Sequence, residues 1–313
     1  LKRNDWPSGL QATSSTPVPA LGFAMSATSP SLGRWLEKGG PDDPKHRGWA
    51  HAVATAVIFH AAMLTVGLLA DSALSLGVAE GAPLAACGLS CYWVVLVGIR
   101  LYLEGDGRPL VVYELAWSCS ASLLFAAFAA GSGRPALLCA AGLLVAIDQV
   151  LWYVDIVGYL VTGKMPVKVC GYLFWPSTPL ARRVTSLHHI FFEPVVMVLC
   201  AQGQGVPLGR GFLISVVLTV VSQCICRFMT PLEVHHARQK EGMYYMNINL
   251  CYEAFRDVKV RWIRLCDRAR PVVYLPWMLW IWNAGNVALF TGLAVLLLPI
   301  LRLAGLPGAR ITF

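Results

Sequence analysis

Residues 272–301 read VVYLPWMLWIWNAGNVALFTGLAVLLLPIL, a run without one charged side chain. A helix rises 1.5 Å per residue and a bilayer core is about 30 Å thick, so roughly 20 such residues suffice to cross it. Toward the N-terminus, further apolar runs of span length or close to it fall at 49–70, 84–103, 110–130, 135–161, 187–206 and 211–229. The 313-residue chain is 57% hydrophobic and 13% charged, whereas soluble domains carry about a quarter charged residues. The expected fold is an all-α, polytopic transmembrane helical bundle of about seven spans. The segment 187–206 fits least well: it carries Glu193 and Pro194 and ends in Gln202-Gly203-Gln204-Gly205, a composition that also suits a re-entrant segment.

Basic residues set the expected orientation, because short cytosolic loops accumulate Lys and Arg. Arg34, Lys38, Lys45 and Arg47 precede the first span, Arg108 follows the second, and Lys164, Lys168, Arg182 and Arg183 follow the fourth. After the sixth come Arg238, Lys240, Arg256, Lys259, Arg261, Arg264, Arg268 and Arg270. The alternate loops hold only Arg134 and Arg210. The N-terminus is therefore expected in the cytosol and the C-terminus on the opposite side. The net charge of +8 reads as membrane orientation, since no separate basic domain exists that would bind nucleic acid.

The expected organisation is a disordered cytosolic tail at 1–48, Ser/Thr/Pro-rich between Pro7 and Pro30, and a membrane domain at 49–303. Within the domain, 163–186 is an interfacial segment with Tyr172 and Trp175 at headgroup depth, and 230–271 is a cytosolic loop. In that loop Leu250, Ala254, Val258, Trp262 and Leu265 recur at helical spacing while Arg256, Lys259 and Arg264 lie away from them. That pattern predicts a basic amphipathic helix on the inner leaflet, with anionic lipid headgroups as partners. A short non-cytosolic tail, 304–313, closes the chain. Ten cysteines lie mostly inside apolar runs, which implies no disulfide framework.

Ionisable groups inside a bilayer are costly and mark candidate sites. Asp148 and Asp155 share one face of the fourth span, two turns apart, with Trp152 and Tyr159 on the same stripe. His189 and Glu193 share a face of the fifth within one turn. Counted from the cytosolic ends, Asp155 and Glu193 are expected at the same depth. A second pair, His235 and His236, follows the sixth span, so most histidines are expected at one membrane face. His188, His189, His235 and His236 are the candidate ligands for zinc or iron, and Asp148, Asp155 and Glu193 the candidate acid and base groups. Asn283 and Asn286, in the last span, are expected to link helices.

Several familiar classes are excluded. G-protein-coupled receptors and microbial rhodopsins place the N-terminus outside, and the last span lacks a Schiff-base lysine. The H-x-x-H-H boxes of membrane desaturases are broken by Thr185 and Leu232, and the last-span H-x-x-x-H of PAQR-type hydrolases has no counterpart. Three functions stay open: an enzyme acting on a lipid-like substrate at the cytosolic leaflet, a proton-linked transporter using Asp148 and Asp155, and a non-catalytic subunit of a membrane complex.

Overall fold

The last helix fixes the frame: Pro271–Leu303, 33 residues long, begins on a proline whose ring suits the first turn. A computed structural model of the chain describes residues 48–74, 79–103, 109–174, 178–203, 205–235, 243–254 and 261–313. The expected tail falls almost wholly outside these residues. The helices are α1 (Trp49–Leu74), α2 (Pro83–Leu103), α3 (Ser118–Gly131), α4 (Pro135–Leu143), α5 (Ala146–Thr162), α6 (Leu180–Thr185), α7 (His188–Gln202), α8 (Leu208–Met229) and α9 (Pro271–Leu303). Five continuous stretches are long and apolar enough to cross a membrane: α1, the 20 residues Pro83–Tyr102, the 23 residues Leu180–Gln202, α8 and α9. A sixth arises if α4 and α5, bent by 54° at their junction, count as one span.

The segment 187–206, suspected of being too short, thus belongs to a full-length candidate. The shortfall lies at 110–130 instead. A helical turn at Leu110–Tyr113 and a 3-10 turn at Glu114–Ala116 precede an extended Trp117, and only the 14 residues of α3 follow as helix. At the break the backbone is held by Asn249, which accepts from the Ser118 N–H and donates to the Ala116 carbonyl, and Glu114 beside it is buried and ion-paired to Arg100 and Arg182.

At the centre stands α4, PALLCAAGL, in which every residue from Ala136 to Leu143 is buried. Small side chains allow the close packing that membrane helices use. A Cβ on Gly211 of α8 would stand 2.6 Å from the sulfur of Cys139, and one on Gly67 of α1 3.2 Å from Leu137. Around α4 pack α1, α3, α7, α8 and α9.

Helix ends gather in two sets. At one end Ala79 and Ala82 donate backbone hydrogen bonds to Gly133 and Ala130, and β1 (Val206–Pro207) pairs in parallel with Ile311–Thr312 of the C-terminal segment. Arg134, the basic residue that breaks the charge pattern, is neutralised there by Asp71 at 2.6 Å. At the other end Tyr113 meets His51 at 2.6 Å, and Glu114 meets Arg100 and Arg182.

The expected amphipathic helix is not a single surface helix in its described residues; 255–260 lie outside them. Leu250 and Ala254 are buried while Trp262 and Leu265 are exposed. The backbone turns back at Asn247, Asn249 and Leu250, all with positive φ. Asn249 makes the turn a clasp: its amide donates to the Ala116 carbonyl and to Ser222 Oγ, and its oxygen accepts from the Ser118 backbone N–H at 2.7 Å. Asp267 then accepts from the Ala254 N–H, and Arg268 pairs with Glu253. This segment therefore caps the bundle end. β2 (Glu233–His235) and β3 (Met243–Tyr245) form a small antiparallel ribbon beside it.

Candidate functional site

The junction between α6 and α7 aims two imidazoles into the bundle. Thr185 ends α6, Ser186 and Leu187 turn the chain, and α7 begins at His188. Each ring folds back on the carbonyl three residues earlier: His188 Nδ1 on Thr185 at 2.8 Å and His189 Nδ1 on Ser186 at 3.2 Å. A carbonyl only accepts, so both Nδ1 atoms carry the proton and both Nε2 lone pairs remain free. Shared back-bonding also overcomes the roughly 100° between adjacent helical positions. The ring centroids stand 4.1 Å apart.

Cys119, in the first turn of α3, completes the group. Its sulfur and one nitrogen of each histidine all lie within 4.8 Å of one another. A tetrahedral zinc ion bound at about 2.0–2.1 Å to nitrogen and 2.3 Å to sulfur needs these atoms roughly 3.3–3.6 Å apart. Side-chain rotations of about an ångström would therefore close them on an ion. Both histidines are buried, and His188 Nε2 has no hydrogen-bond partner. Trp152 of α5 stacks on His189 at 4.6 Å, and Tyr92 of α2 stands 6.1 Å from His188.

Arg100 and Glu114 support this arrangement from outside. Arg100 Nε donates to Thr185 Oγ1 at 3.1 Å, on the residue whose carbonyl holds His188. Tyr172 donates to Ser186 Oγ at 2.9 Å, on the residue that holds His189. Burial pushes the Tyr172 phenol up to about 12, so it remains a donor at neutral pH. Backbone carbonyls that fix a ligand's tautomer are the usual second layer of a metal site.

No family model, curated protein or solved structure matches the chain. The site is therefore read from its own geometry.

The expected residues divide into three groups. His188 and His189 form the centre, joined by Cys119, which sequence spacing did not single out. Asp148 is partly buried on α5, one turn before the Trp152 that stacks on His189. Asp155 is committed elsewhere: one oxygen accepts from the Val167 and Lys168 backbone N–H groups at 2.8 and 2.9 Å, the other from Cys170 at 3.2 Å. It holds the loop after α5 closed. Nor does it share a depth with Glu193. The helices α5 and α7 run antiparallel and meet at Trp152 and His189, so Asp155 and Glu193 lie about a turn away in opposite directions, roughly 10 Å apart along the axis. Glu193 lies instead against Gly142 of α4, where a Cβ would stand 2.8 Å from its Oε2.

The second histidine pair falls at and beyond the edge of the described residues. His235 sits in β2, opposite Met243; its side chain, and His236 entirely, lie outside the described residues. The last-span asparagines act as expected of linkers in one case: Asn286 accepts from the Ile147 N–H at 2.8 Å and donates to the Leu144 carbonyl, whereas Asn283 bonds within its own helix.

Proposed function

We propose that the protein is a multi-pass membrane enzyme in which Cys119, His188 and His189 hold zinc or iron and act on a lipid-like substrate at the cytosolic leaflet. The observation that carries this reading is the convergence of three ligand atoms from α3 and α7, with the His188 Nε2 lone pair buried and without a partner. Three protein ligands leave a fourth position open, the pattern of catalytic zinc sites. A metal there supplies a Lewis acid or an activated water. The protein's own groups do the rest. Thr185 and Ser186 fix the imidazoles, Trp152 walls one side, and Asp148, one turn before Trp152, is the available acid or base. Leu187 and Ile190, which flank the histidines, are exposed on the outer surface. An apolar molecule arriving within the bilayer would meet these two side chains ahead of the buried imidazoles. The Lys and Arg residues of the same end supply attraction for anionic headgroups.

The reading is tested in proteoliposomes made from a natural lipid mixture, with lipids followed by mass spectrometry. A new lipid-derived product is expected with the wild-type protein, abolished by 1,10-phenanthroline and by Cys119→Ser. A lipid profile that matches empty liposomes, or that Cys119→Ser leaves as in wild type, contradicts the proposal.

A further inference from the structure

Glu193 has no part in the Cys119, His188 and His189 group. Its side chain is fully buried, and neither carboxylate oxygen has a hydrogen-bond partner. Gln149 on α5 is in the same condition: fully buried, with both its amide nitrogen and oxygen unpartnered. Gln149 lies one turn before Trp152, and Glu193 one turn beyond His189. The antiparallel helices meet at that stacked pair, so Glu193 and Gln149 stand at the same level of the bundle.

The third component is a helix end. α4 stops at Leu143, and Glu193 abuts Gly142 in its last turn. The carboxylate lies beside the Gly142 Cα together with Phe290 and Val196, one residue before the helix end, whose last carbonyls carry partial negative charge. The helix break also frees an acceptor. In a continuous helix the Ile147 N–H would close on the Leu143 carbonyl, but here it donates to Asn286 at 2.8 Å. Asn286 and Trp282 of α9 also hold the Leu144 carbonyl, keeping the break open. The Ala140, Gly142 and Leu144 carbonyls have donors, so the acceptors left at this level are the Leu143 carbonyl at the break and the two Glu193 oxygens, with the Gln149 amide as the unpartnered donor. Carbonyl ends of discontinuous membrane helices, joined by a carboxylate, are a recurrent way of binding small cations.

We propose that Glu193, Gln149 and the carbonyl end of α4 form an interior binding site for a monovalent cationic group, either an alkali ion or an ammonium group. The site stands on residues separate from the metal centre and goes beyond the enzyme reading. A bound cation compensates the buried carboxylate in its charged form, in competition with a proton.

The test is thermal unfolding of the full chain in a neutral detergent at fixed ionic strength, with NaCl, KCl, butylammonium chloride or N-methylglucamine chloride. Wild-type protein is expected to unfold several degrees higher in at least one of the first three salts than in N-methylglucamine, a bulky and heavily hydroxylated cation. A rise with Na+ or K+ identifies an alkali ion, and one with butylammonium alone identifies an amine. Glu193→Gln is expected to lose the ion response. Equal wild-type midpoints in all four salts, or an ion response retained in Glu193→Gln, overturn the proposal. If Glu193→Gln does not fold, the wild-type series decides alone. Cys119→Ser is expected to keep the ion response while losing its metal, so failure of the cation site and failure of the metal centre are read separately.

Discussion

Glu114→Ala is expected to lower stability by about 3–5 kcal/mol, the range for removing one partner of a buried ion pair. Glu114 is 4% exposed, and one of its oxygens serves both Arg100 and Arg182. Removing the carboxylate leaves the Arg100 guanidinium, itself 8% exposed, with only Thr185 Oγ1 among the partners named here. The loss is not confined to packing. Arg100 bonds the residue whose carbonyl orients His188, so metal affinity is expected to fall as well, by the 10–100-fold typical of second-layer substitutions. Chemical unfolding in mild detergent and metal titration measure the two effects. A stability loss below about 1 kcal/mol would show that the pair is solvated like a surface bridge.

The second large effect is expected at Asp155. Asp155→Ala leaves three backbone N–H groups of the loop after α5 without their acceptor, at about 1–3 kcal/mol for each that stays buried. A loss of roughly 3 kcal/mol or more is expected. Hydrogen exchange localises it: the amides of Val167, Lys168 and Cys170 should lose protection while α4 and α8 keep theirs. Asp148→Ala, at a carboxylate without such a clamp, is expected to leave that loop protected. Unchanged protection in Asp155→Ala would show that the loop closes by other means, and would return Asp155 to the candidates for proton transfer.

This contrast between Asp148 and Asp155 shows where sequence reading ran out. Their seven-residue spacing placed both on one face, correctly, but a face does not say what it meets. Asp155 meets its own following loop, a contact set by the turn at 163–170 with Lys168 in a left-handed conformation. The apolar runs were legible because the bilayer imposes length and composition on every crossing. The interruptions at Trp117 and at 144–145 were not, because each is held by a partner distant in sequence: Asn249 at Trp117, and α9 at the break before α5. The histidine pair on α7 was visible, whereas Cys119, the thiol that meets it, lies 69 positions before His188. Only the polar stretch Ser118-Cys119-Ser120 inside an apolar run hinted at it. The helical spacing in 250–265 misled for a related reason. Asn247 and Asn249 tolerate positive φ, and Asn249 spends its amide clasping α3 and α8 rather than extending a helix.

The central claim is a three-ligand metal centre built by α3 and α7, and elemental analysis of the detergent-purified protein tests it most directly. About one zinc or iron per chain is expected in the wild type. Cys119→Ser and His188→Ala/His189→Ala are each expected to lose it, since a lost ligand should cost more than the roughly 100-fold of a lost supporting partner. His235→Ala/His236→Ala is expected to retain it. Wild-type protein that stays free of metal after incubation with zinc and with ferrous iron, or a His188→Ala/His189→Ala variant that keeps its full content, would contradict the account.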